Sequence, residues 1–410
     1  MESFKNLGIS EPVLRSIKDE KFESPSEIQE KSIPLIVAGN DVIAGSATGS
    51  GKTLAFASGI LKTCEKGKGI QALILTPTRE LAEQVAQAIS KFSKYRPLEV
   101  IAVYGGVGIN PQIRGLQTAD IVVGTPGRIL DHVERSTIKF GRVKTLVLDE
   151  ADRMLDMGFK DDVERIIRKC PTERQTLLFS ATISKEVVQL SKRYMNKPLQ
   201  VSVDSYVDPK KLIQTFYDVG DELKFSLLVH LLKNESSNLV MVFCNTKRNT
   251  DKVTKNLRST GIDALAIHGG LTQNRRSDVL GSFHSGKFCV LVCTDVAARG
   301  LDIPGVSHVY NYDIPRESKG YIHRIGRTAR AGAEGKAINI LSKTDYDNFS
   351  RVLKENDVEI TEETLPAFQK IAMKMPDRGS NKPFIRREQI SSKRRPRTDR
   401  STPQRRARRN

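Results

Sequence analysis

No apolar run in the 410-residue sequence approaches the ~20 residues of a membrane-spanning helix, which excludes an integral membrane protein built from such helices. The first residues lack a basic stretch followed by an apolar one, so we expect no secretory signal. Five cysteines are too few for a disulfide framework and indicate a reducing compartment. With 38% hydrophobic and 28% charged residues, the composition predicts a globular cytoplasmic protein.

Acidic residues are in the minority, and the formal charge of +18 predicts a polyanionic partner. Residues 370–410 hold 15 lysines and arginines against three acids, a net charge of +12. With one aromatic residue and few aliphatic ones, this segment is predicted to be disordered. We interpret it as an arm that binds phosphates without sequence preference, the alternative being a solvated tail that aids solubility. It contains no Arg-Gly-Gly repeats.

The body of the chain alternates short aliphatic runs with amphipathic stretches. Predicted strands lie at 41–44, 72–75, 100–104, 121–124, 145–148, 176–179, 239–243, 264–268, 290–293, 308–312 and 337–341. Helical patterns occur between them, for example at 80–92, 185–195 and 246–259. Strands that are apolar on both faces and alternate with helices predict an α/β fold of doubly wound parallel sheets. In such sheets ligands bind at the carboxyl ends of the strands.

A polar stretch at 204–211 interrupts this alternation once. We therefore predict a first domain at 1–205, a linker at 206–212, a second domain at 213–365 and a disordered basic tail at 366–410. Five or six strands on each side of the linker are enough for one complete sheet.

The loop after the first predicted strand has the character of a phosphate-binding loop. Gly49 and Gly51 let backbone N–H groups turn toward phosphate oxygens, and Lys52 can reach the β- and γ-phosphates. The hydroxyl of Thr53 can bind Mg²⁺. Ser46 stands where the usual pattern has glycine, and a glycine-rich turn without nucleotide is the alternative. The predicted nucleotide-binding residues of the loop are Ser46, Ala47, Thr48, Gly49, Ser50, Gly51, Lys52 and Thr53.

Carboxylates follow the aliphatic strand at 145–148. Asp149 is placed to hold Mg²⁺ opposite the phosphate loop, and Glu150 to orient and deprotonate a water molecule. A solvated acidic turn is the alternative for a pair of acids alone. Together with the loop, they predict hydrolysis of a nucleotide.

The motifs as a set resemble the DEAD-box RNA helicases of helicase superfamily 2. The resemblance rests on PTRELA at 77–82, GG at 105–106, TPGR at 125–128, DEAD at 149–152, SAT at 180–182, VFCNTK at 242–247, QNRR at 273–276, TDVAARGLD at 294–302 and HRIGRTAR at 323–330. It implies two tandem RecA-like domains, with ATP and Mg²⁺ as cofactors and RNA as partner.

The stretch at 22–29 looks like the Q motif, which the resemblance places at 2–30 and which selects adenine. Phe22 offers a ring for stacking, and the amide of Gln29 can both donate to and accept from the base. Phe4 stands where relatives carry an isolated aromatic residue, and Lys21 replaces their usual glycine. An apolar helix packed as core is the alternative.

The second domain supplies arginines. Arg327 and Arg330 are three residues apart and so share a helix face, and the resemblance makes them arginine fingers that stabilise the transferring phosphoryl group. It assigns Asp302 to the ribose of ATP. A surface cluster that binds RNA phosphates is the alternative, in particular for Arg324. Because these residues belong to the other domain, hydrolysis requires the domains to close.

The resemblance also supplies the residues that contact RNA and those that couple it to ATP. Glycines, small hydroxyls and arginines suit phosphate and 2′-OH contacts without reading bases. The candidates are Thr78, Arg79, Gly106, Thr125, Arg128, Asn245, His268, Gly270, Arg276, Thr294 and Gly300. The coupling residues are Asp152, Ser180, Thr182 and His323, although His323 is also compatible with a core histidine.

We therefore predict an ATP-dependent RNA helicase whose catalytic residues are Lys52, Glu150, Arg327 and Arg330, with possible ribonucleoprotein partners and no membrane contact. An ATP-gated RNA clamp without strand displacement and a superfamily 2 DNA translocase are the alternatives. Cys289 and Cys293 are expected to be buried thiols rather than zinc ligands.

Overall fold

The computed structural model describes residues 1–45, 49–203, 212–298, 301, 303, 305–329, 334–356 and 358–373. The first half of the chain supplies, within these residues, the strands β1 (Val42–Gly45), β2 (Ala72–Leu75), β3 (Val100–Val103), β4 (Ile121–Gly124), β5 (Thr145–Leu148), β6 (Gln175–Ser180) and β7 (Leu199–Ser202). Its helices are α1 (Glu2–Lys5), α2 (Glu11–Asp19), α3 (Glu27–Val37), α4 (Lys52–Thr63), α5 (Arg79–Phe92), α6 (Ile109–Leu116), α7 (Pro126–Glu134), α8 (Ala151–Asp156), α9 (Lys160–Ile167) and α10 (Lys185–Tyr194).

The second half repeats this plan. Its strands in the described residues are β8 (Leu212–Asp218), β9 (Leu239–Phe243), β10 (Ala264–Ile267), β11 (Val290–Cys293), β12 (Val306–Asn311), β13 (Gly335–Leu341) and β14 (Thr361–Glu362). Its helices are α11 (Lys224–Asn234), α12 (Lys247–Ser259), α13 (Gln273–His284), α14 (Asp295–Ala298), α15 (Ser318–Ile325) and α16 (Tyr346–Asn356), with a 3-10 turn at Lys343–Asp345.

Two parallel sheets result, with the strand orders β3-β4-β2-β5-β6-β1-β7 and β10-β11-β9-β12-β13-β8-β14. All pairings among the described strands are parallel, so the carboxyl ends of each sheet share one edge. Both sheets belong to one compact unit. The predicted fold class of tandem doubly wound α/β domains is confirmed.

Alternate residues of each strand supply two separate cores, one on each face of the sheet. In β2, Ile74 packs with α3, α4 and α5, whereas Leu73 and Leu75 pack on the opposite face with α7, α9 and α10. In β9, Val242 packs into the core on one face of the second sheet and Met241 into the core on the other face. Side chains of a strand alternate between faces, so a run that is apolar at each position requires helices on both sides.

The edges of the sheets differ from the prediction. Strands β7, β8 and β14 were not predicted, and Leu212, which we assigned to the linker, is the first residue of β8. The rest of the predicted linker lies outside the described residues. Cys293 is buried as expected, but the prediction was wrong for Cys289, which is exposed and lies immediately before β11.

Residues 366–373, which we assigned to the disordered tail, lie against the second sheet. Phe368, Ile371 and Met373 pack against its core, and the Ile371 amide donates to the Ser226 hydroxyl at 2.9 Å. The phenol of Tyr312 contacts the Met373 sulfur at 3.9 Å. These three apolar side chains are partly buried, and they are irregularly spaced in the sequence, so no periodic pattern predicted the contact. The charged residues beyond 373 lie outside the described part of the chain.

None of the helices in the described ranges combines the length and the apolar character needed to cross a bilayer.

Candidate nucleotide and RNA site

The phosphate loop leads from β1 into α4 through two glycines in the left-handed region. Gly49 has φ 83° and Gly51 has φ 89°, a conformation that side chains disfavour. A Cβ on Gly51 would also collide with the amide of Gln29. Because α4 begins at Lys52, the backbone N–H groups of its first turn face the loop and favour an anion there. Residues 46–48, the predicted first part of the loop, lie outside the described residues.

Lys52 and Asp149 face each other at the carboxyl ends of β1 and β5. The Lys52 Nζ lies 3.6 Å from the Asp149 Oδ1, and both side chains are at least nine-tenths buried. Neither of these two atoms has a hydrogen-bond partner among the described residues. Burial raises the pKa of Asp149, while the Lys52 ammonium opposes that shift. A buried cation and carboxylate without such partners are costly unless a ligand completes them. Phosphate oxygens on Lys52 and a divalent cation on Asp149 fit this donor set.

Glu150 lies immediately before α8 with φ 53° and ψ 51°. A left-handed conformation is strained for a residue with a side chain, and such strain concentrates at functional sites. The Glu150 carboxylate is buried and accepts a hydrogen bond at 2.7 Å from Arg153, one turn along the helix. Our sequence reasoning did not include Arg153, although the spacing of three residues on a helix predicts the contact.

The DEAD and SAT motifs are joined by a network of hydrogen bonds. Asp152 Oδ2 accepts from both the amide and the hydroxyl of Thr182 at 2.9 Å. The Asp152 amide donates to the Ser180 hydroxyl at 3.1 Å, and that hydroxyl donates to the Thr182 carbonyl. Three of the four proposed coupling residues therefore touch one another within the first domain. The fourth, His323, lies on α15 with a partly exposed side chain.

The three proposed adenine-binding residues, Phe22, Gln29 and Phe4, have different surroundings. The ring of Phe22 is 42% exposed, next to Lys21, whose φ of 58° accounts for a preference for glycine at that position. Gln29 accepts from the Ser26 amide and donates to the Gly51 carbonyl, both at 3.0 Å, which links the Q motif to the phosphate loop. Phe4 differs from the prediction. Its side chain is completely buried in the core around α2 and α3 and offers no ring to a base.

Predicted RNA contacts of the first domain lie after three neighbouring strands, β3, β4 and β2. The guanidinium of Arg79 covers Gly106 so closely that a Cβ there would collide with it. Thr78 accepts from the Leu81 amide at the start of α5, and Thr125 precedes α7. Arg128 donates to the Val107 carbonyl at 3.1 Å. Hydroxyls, glycines and arginines thus cluster on one half of the carboxyl edge of the first sheet. Lys52 and Asp149 lie on the other half of the same edge.

The second domain places its predicted RNA contacts in the same way, after β10, β11 and β9. His268 uses both ring nitrogens, one with the Asp251 carboxylate at 2.9 Å and one with the Gly270 amide at 3.1 Å. Thr294 follows β11 and is buried. The side-chain amide of Asn245 donates to the Ile314 carbonyl and accepts from Arg324, each at 2.8 Å, so both of its ends have partners within the second domain. A contact of Asn245 with RNA stays a prediction.

Two arginines of the HRIGRTAR motif have different surroundings. Arg324 is 1% exposed, pairs with the Asp295 carboxylate at 2.5 Å and 2.7 Å, and donates to Asn311 and to the Asp313 carbonyl. These contacts make it a structural residue and not a surface RNA contact. Arg327 is also buried and donates to the carbonyls of Leu301 and His323. Gly300, Asp302 and Arg330 lie outside the described residues.

One pair of contacts joins the two domains through Glu80 of the PTRELA motif. Its carboxylate lies 2.7 Å from the Arg276 Nε and 3.3 Å from the Gln273 amide, and it is 4% exposed. Arg276 was predicted to contact RNA. It instead pairs with an acid 196 residues away in sequence, a contact that our sequence reasoning did not find.

Similarity to known proteins covers both domains. Residues 26–190 match the DEAD/DEAH box helicase family, and residues 223–332 match the helicase conserved C-terminal domain. The ATP-dependent RNA helicase CshA of Listeria monocytogenes is 47% identical over 358 residues, which are 87% of this chain and 69% of that protein.

Solved structures are similar over the same region. Dbp5 of Saccharomyces cerevisiae bound to RNA and ADP-BeF3 is 34% identical and matches with a TM-score of 0.80, covering 88% of this chain and 96% of that one. A variant of Dbp5 bound to ADP, IP6, Nup159 and a Gle1 variant is 32% identical, covers 87% and 95%, and has a TM-score of 0.62. The two sheets are thus RecA-like domains, and the chain belongs to the DEAD-box ATP-dependent RNA helicases, enzymes that hydrolyse ATP and act on RNA.

Proposed function

We propose that Lys52, Thr53 and Asp149 bind ATP together with Mg²⁺ at the carboxyl edge of the first sheet. The unsatisfied, buried Nζ and Oδ1 of Lys52 and Asp149 are the single observation that supports this most strongly. Thr53 follows Lys52 in the first turn of α4, where its hydroxyl can share the cation. When bound, Mg²⁺ neutralises charge on the β- and γ-phosphates. Phe22 and Gln29 hold the adenine, and Asp302 holds the ribose.

Glu150 accepts the proton of the attacking water. Arg153 holds the Glu150 carboxylate at 2.7 Å, so the base is oriented before substrate arrives. The acid is buried among other charged groups of the DEAD motif, where little solvent competes for its proton-accepting oxygen. Arg327 and Arg330 stabilise the charge that develops on the γ-phosphate, and to do so they approach from the second domain.

Closure of the two domains couples ATP hydrolysis to RNA. The contact of Glu80 with Arg276 and Gln273 supports an arrangement in which the two domains meet. The TM-score is higher to Dbp5 with RNA and ADP-BeF3 than to the Dbp5 variant with ADP, IP6, Nup159 and a Gle1 variant, and this difference supports the same arrangement. The hydrogen-bonded residues Asp152, Ser180 and Thr182 couple the nucleotide site of the first domain to His323 of the second domain.

RNA lies along both carboxyl edges and is held by its phosphates and sugars. The residues there are hydroxyls, glycines and arginines with few aromatic rings, so binding has little sequence preference. Closure on one strand destabilises a short duplex or remodels a ribonucleoprotein, and hydrolysis reopens the domains. Ribonucleoprotein partners and the cytoplasmic location stay predictions.

Two measurements test this function. We expect ATP turnover to rise at least about tenfold with single-stranded RNA and much less with DNA of the same sequence, because 2′-OH contacts distinguish the two. A short RNA duplex should separate when ATP is added and not when ADP is added. Equal stimulation by DNA would favour the DNA translocase. RNA-stimulated turnover without strand separation would favour the ATP-gated clamp.

Deletion of residues 374–410 is expected to weaken RNA binding while leaving maximal ATP turnover within about twofold. The deletion removes most of the excess positive charge, and each lost phosphate contact lowers the slope of log K against log salt by about 0.7 for single strands. Ending the chain at residue 373 keeps the packed segment 366–373 intact. Filter binding at several salt concentrations measures the slope, and a slope equal to that of the full chain would refute the role of the tail.

A further inference from the structure

A groove of about 390 Å³ lies on the flank of the second domain, between α12 and α13 and beside the edge strand β10. Leu265, Leu271 and Val279 contribute apolar surface, and Lys255, Arg258 and Arg275 contribute cations. None of these six residues belongs to the proposed nucleotide site, coupling residues or RNA contacts, although Arg275 lies within the QNRR motif at 273–276.

Helix α12 carries a strong excess of positive charge, and two of its cations, Lys255 and Arg258, line the groove. It contains Lys247, Arg248, Lys252, Lys255 and Arg258 against one acid, Asp251. Lys255 and Arg258 lie three apart and therefore share a face, with Arg275 facing them from α13. The Arg258 Nε donates to the Ala264 carbonyl at 2.6 Å, which fixes that guanidinium against β10.

The groove is continuous with the carboxyl edge that we assign to RNA. At the first turn of α12, the aliphatic part of Lys247 lies over Gly269 and Gly270, where an added Cβ would be 3.5 Å and 3.8 Å from it. Asp251 lines the groove and also binds His268 at 2.9 Å. Asp251, the one acidic residue of α12, is therefore hydrogen-bonded to the His268 imidazole at the place where the carboxyl edge of the sheet meets the groove. Cations then continue along α12 for about 16 Å, at 1.5 Å per residue from Lys247 to Arg258.

We propose that this groove binds the phosphates of RNA that extends beyond the segment held between the two domains. The proposal rests on the proposed function, since it continues the RNA from His268 and Gly270 onto the flank. Its continuity with that edge, together with a row of cations rather than one pair, favours a polyphosphate over an acidic peptide. Contacts in the groove lengthen the bound segment without reading its sequence.

The test compares short and long RNA in the full-length protein. The variant Lys255→Gln/Arg275→Gln removes two exposed cations and leaves Arg258 in place. For oligouridylate of about 20 nucleotides we expect affinity to fall roughly tenfold and the salt slope to fall by about 1.4. For oligouridylate of about 8 nucleotides we expect no change in affinity, because that length fills only the interdomain site.

Matched controls make the result specific. Lys233→Gln/Lys354→Gln removes the same charge from exposed positions on α11 and α16 and should leave both affinities unchanged. Lys255→Arg/Arg275→Lys should restore long-RNA affinity, because phosphate contacts need charge rather than one side chain. RNA-stimulated ATP turnover with the short RNA should stay at the wild-type level in all variants.

Three outcomes would overturn the proposal. If the groove variant binds long RNA as the wild type does, the groove does not hold RNA. If, in addition, poly-glutamate binds the wild type and not the variant, the groove holds an acidic peptide instead. If both double variants weaken long RNA equally, the effect comes from total charge. Failure of the short RNA to bind or to stimulate ATP turnover even in the wild type would instead contradict the proposed function.

Discussion

The substitution Glu150→Gln is expected to reduce RNA-stimulated ATP turnover by a factor of about 10² to 10⁴. Glutamine has the shape of glutamate, and its carbonyl oxygen can still accept the hydrogen bond from Arg153. It cannot accept a proton from water, so the proposed general base is lost while the left-handed backbone and the site around it are retained. Affinities for ATP and for RNA should stay close to those of the wild type. Single-turnover hydrolysis and equilibrium binding measure the two effects separately.

A matched control is Glu134→Gln, which neutralises a carboxylate on α7 that is 64% exposed and pairs with Arg165. Exposed pairs of this kind contribute little, and turnover should not change. Wild-type turnover in the Glu150 variant would exclude Glu150 as the base. Loss of ATP binding together with turnover would mean that the carboxylate supports the nucleotide site instead.

The substitution Arg324→Met is expected to lower the free energy of unfolding of the second domain by about 3 kcal/mol. Methionine occupies the space of the arginine side chain, but it leaves the Asp295 carboxylate without its paired guanidinium. It also leaves Asn245, Asn311 and the Asp313 carbonyl without their hydrogen-bond donor. Removing one partner of a buried pair leaves the others desolvated and unsatisfied. Because the chain has two domains, hydrogen exchange of the amides in β9 and β12 measures the loss locally, and unchanged protection would contradict the structural role.

Arg327→Ala is the comparison that separates the two arginines of this motif. Arg327 is buried, and its guanidinium donates to the carbonyls of His323 and Leu301. We expect a fall in turnover of about 10³-fold or more, with ATP still bound. Normal turnover in Arg327→Ala would remove its role as an arginine finger.

The centre of each sheet could be predicted from the sequence, and its edges could not. β5 and β11 have the predicted bounds because a strand covered on both faces is an uninterrupted apolar run. β7 is largely exposed, and β8 mixes buried residues with exposed and partly exposed ones, so neither produces such a run. The loops after the central strands could be located for the same reason, since they follow strands that are easily recognised.

Within the site, the motifs predicted that Asp149 lies opposite the phosphate loop and that Asp152 meets Ser180 and Thr182, but they did not predict the surroundings of several other side chains. Phe4 is a core residue, although an aromatic residue near a Q motif is equally compatible with stacking on a base. Asn245 bonds to Arg324, which is 79 positions away in the sequence, and Arg276 pairs with Glu80, which is 196 positions away. Long-range pairings of this kind depend on the packing of whole domains, which a local pattern does not contain.

The strand order of the first sheet sets a distance between its two ligands. Neighbouring strands lie about 4.8 Å apart, so β1, which ends at the phosphate loop, is separated from β2 and β4 by about 14 and 19 Å. The nucleotide site that we propose also includes Asp149 and Glu150 after β5, and β5 is the direct neighbour of β2. The proposed ATP and RNA sites therefore adjoin on one edge of the sheet, and any coupling between their ligands is reciprocal. Whatever factor RNA adds to the affinity for ATP, ATP adds to the affinity for RNA.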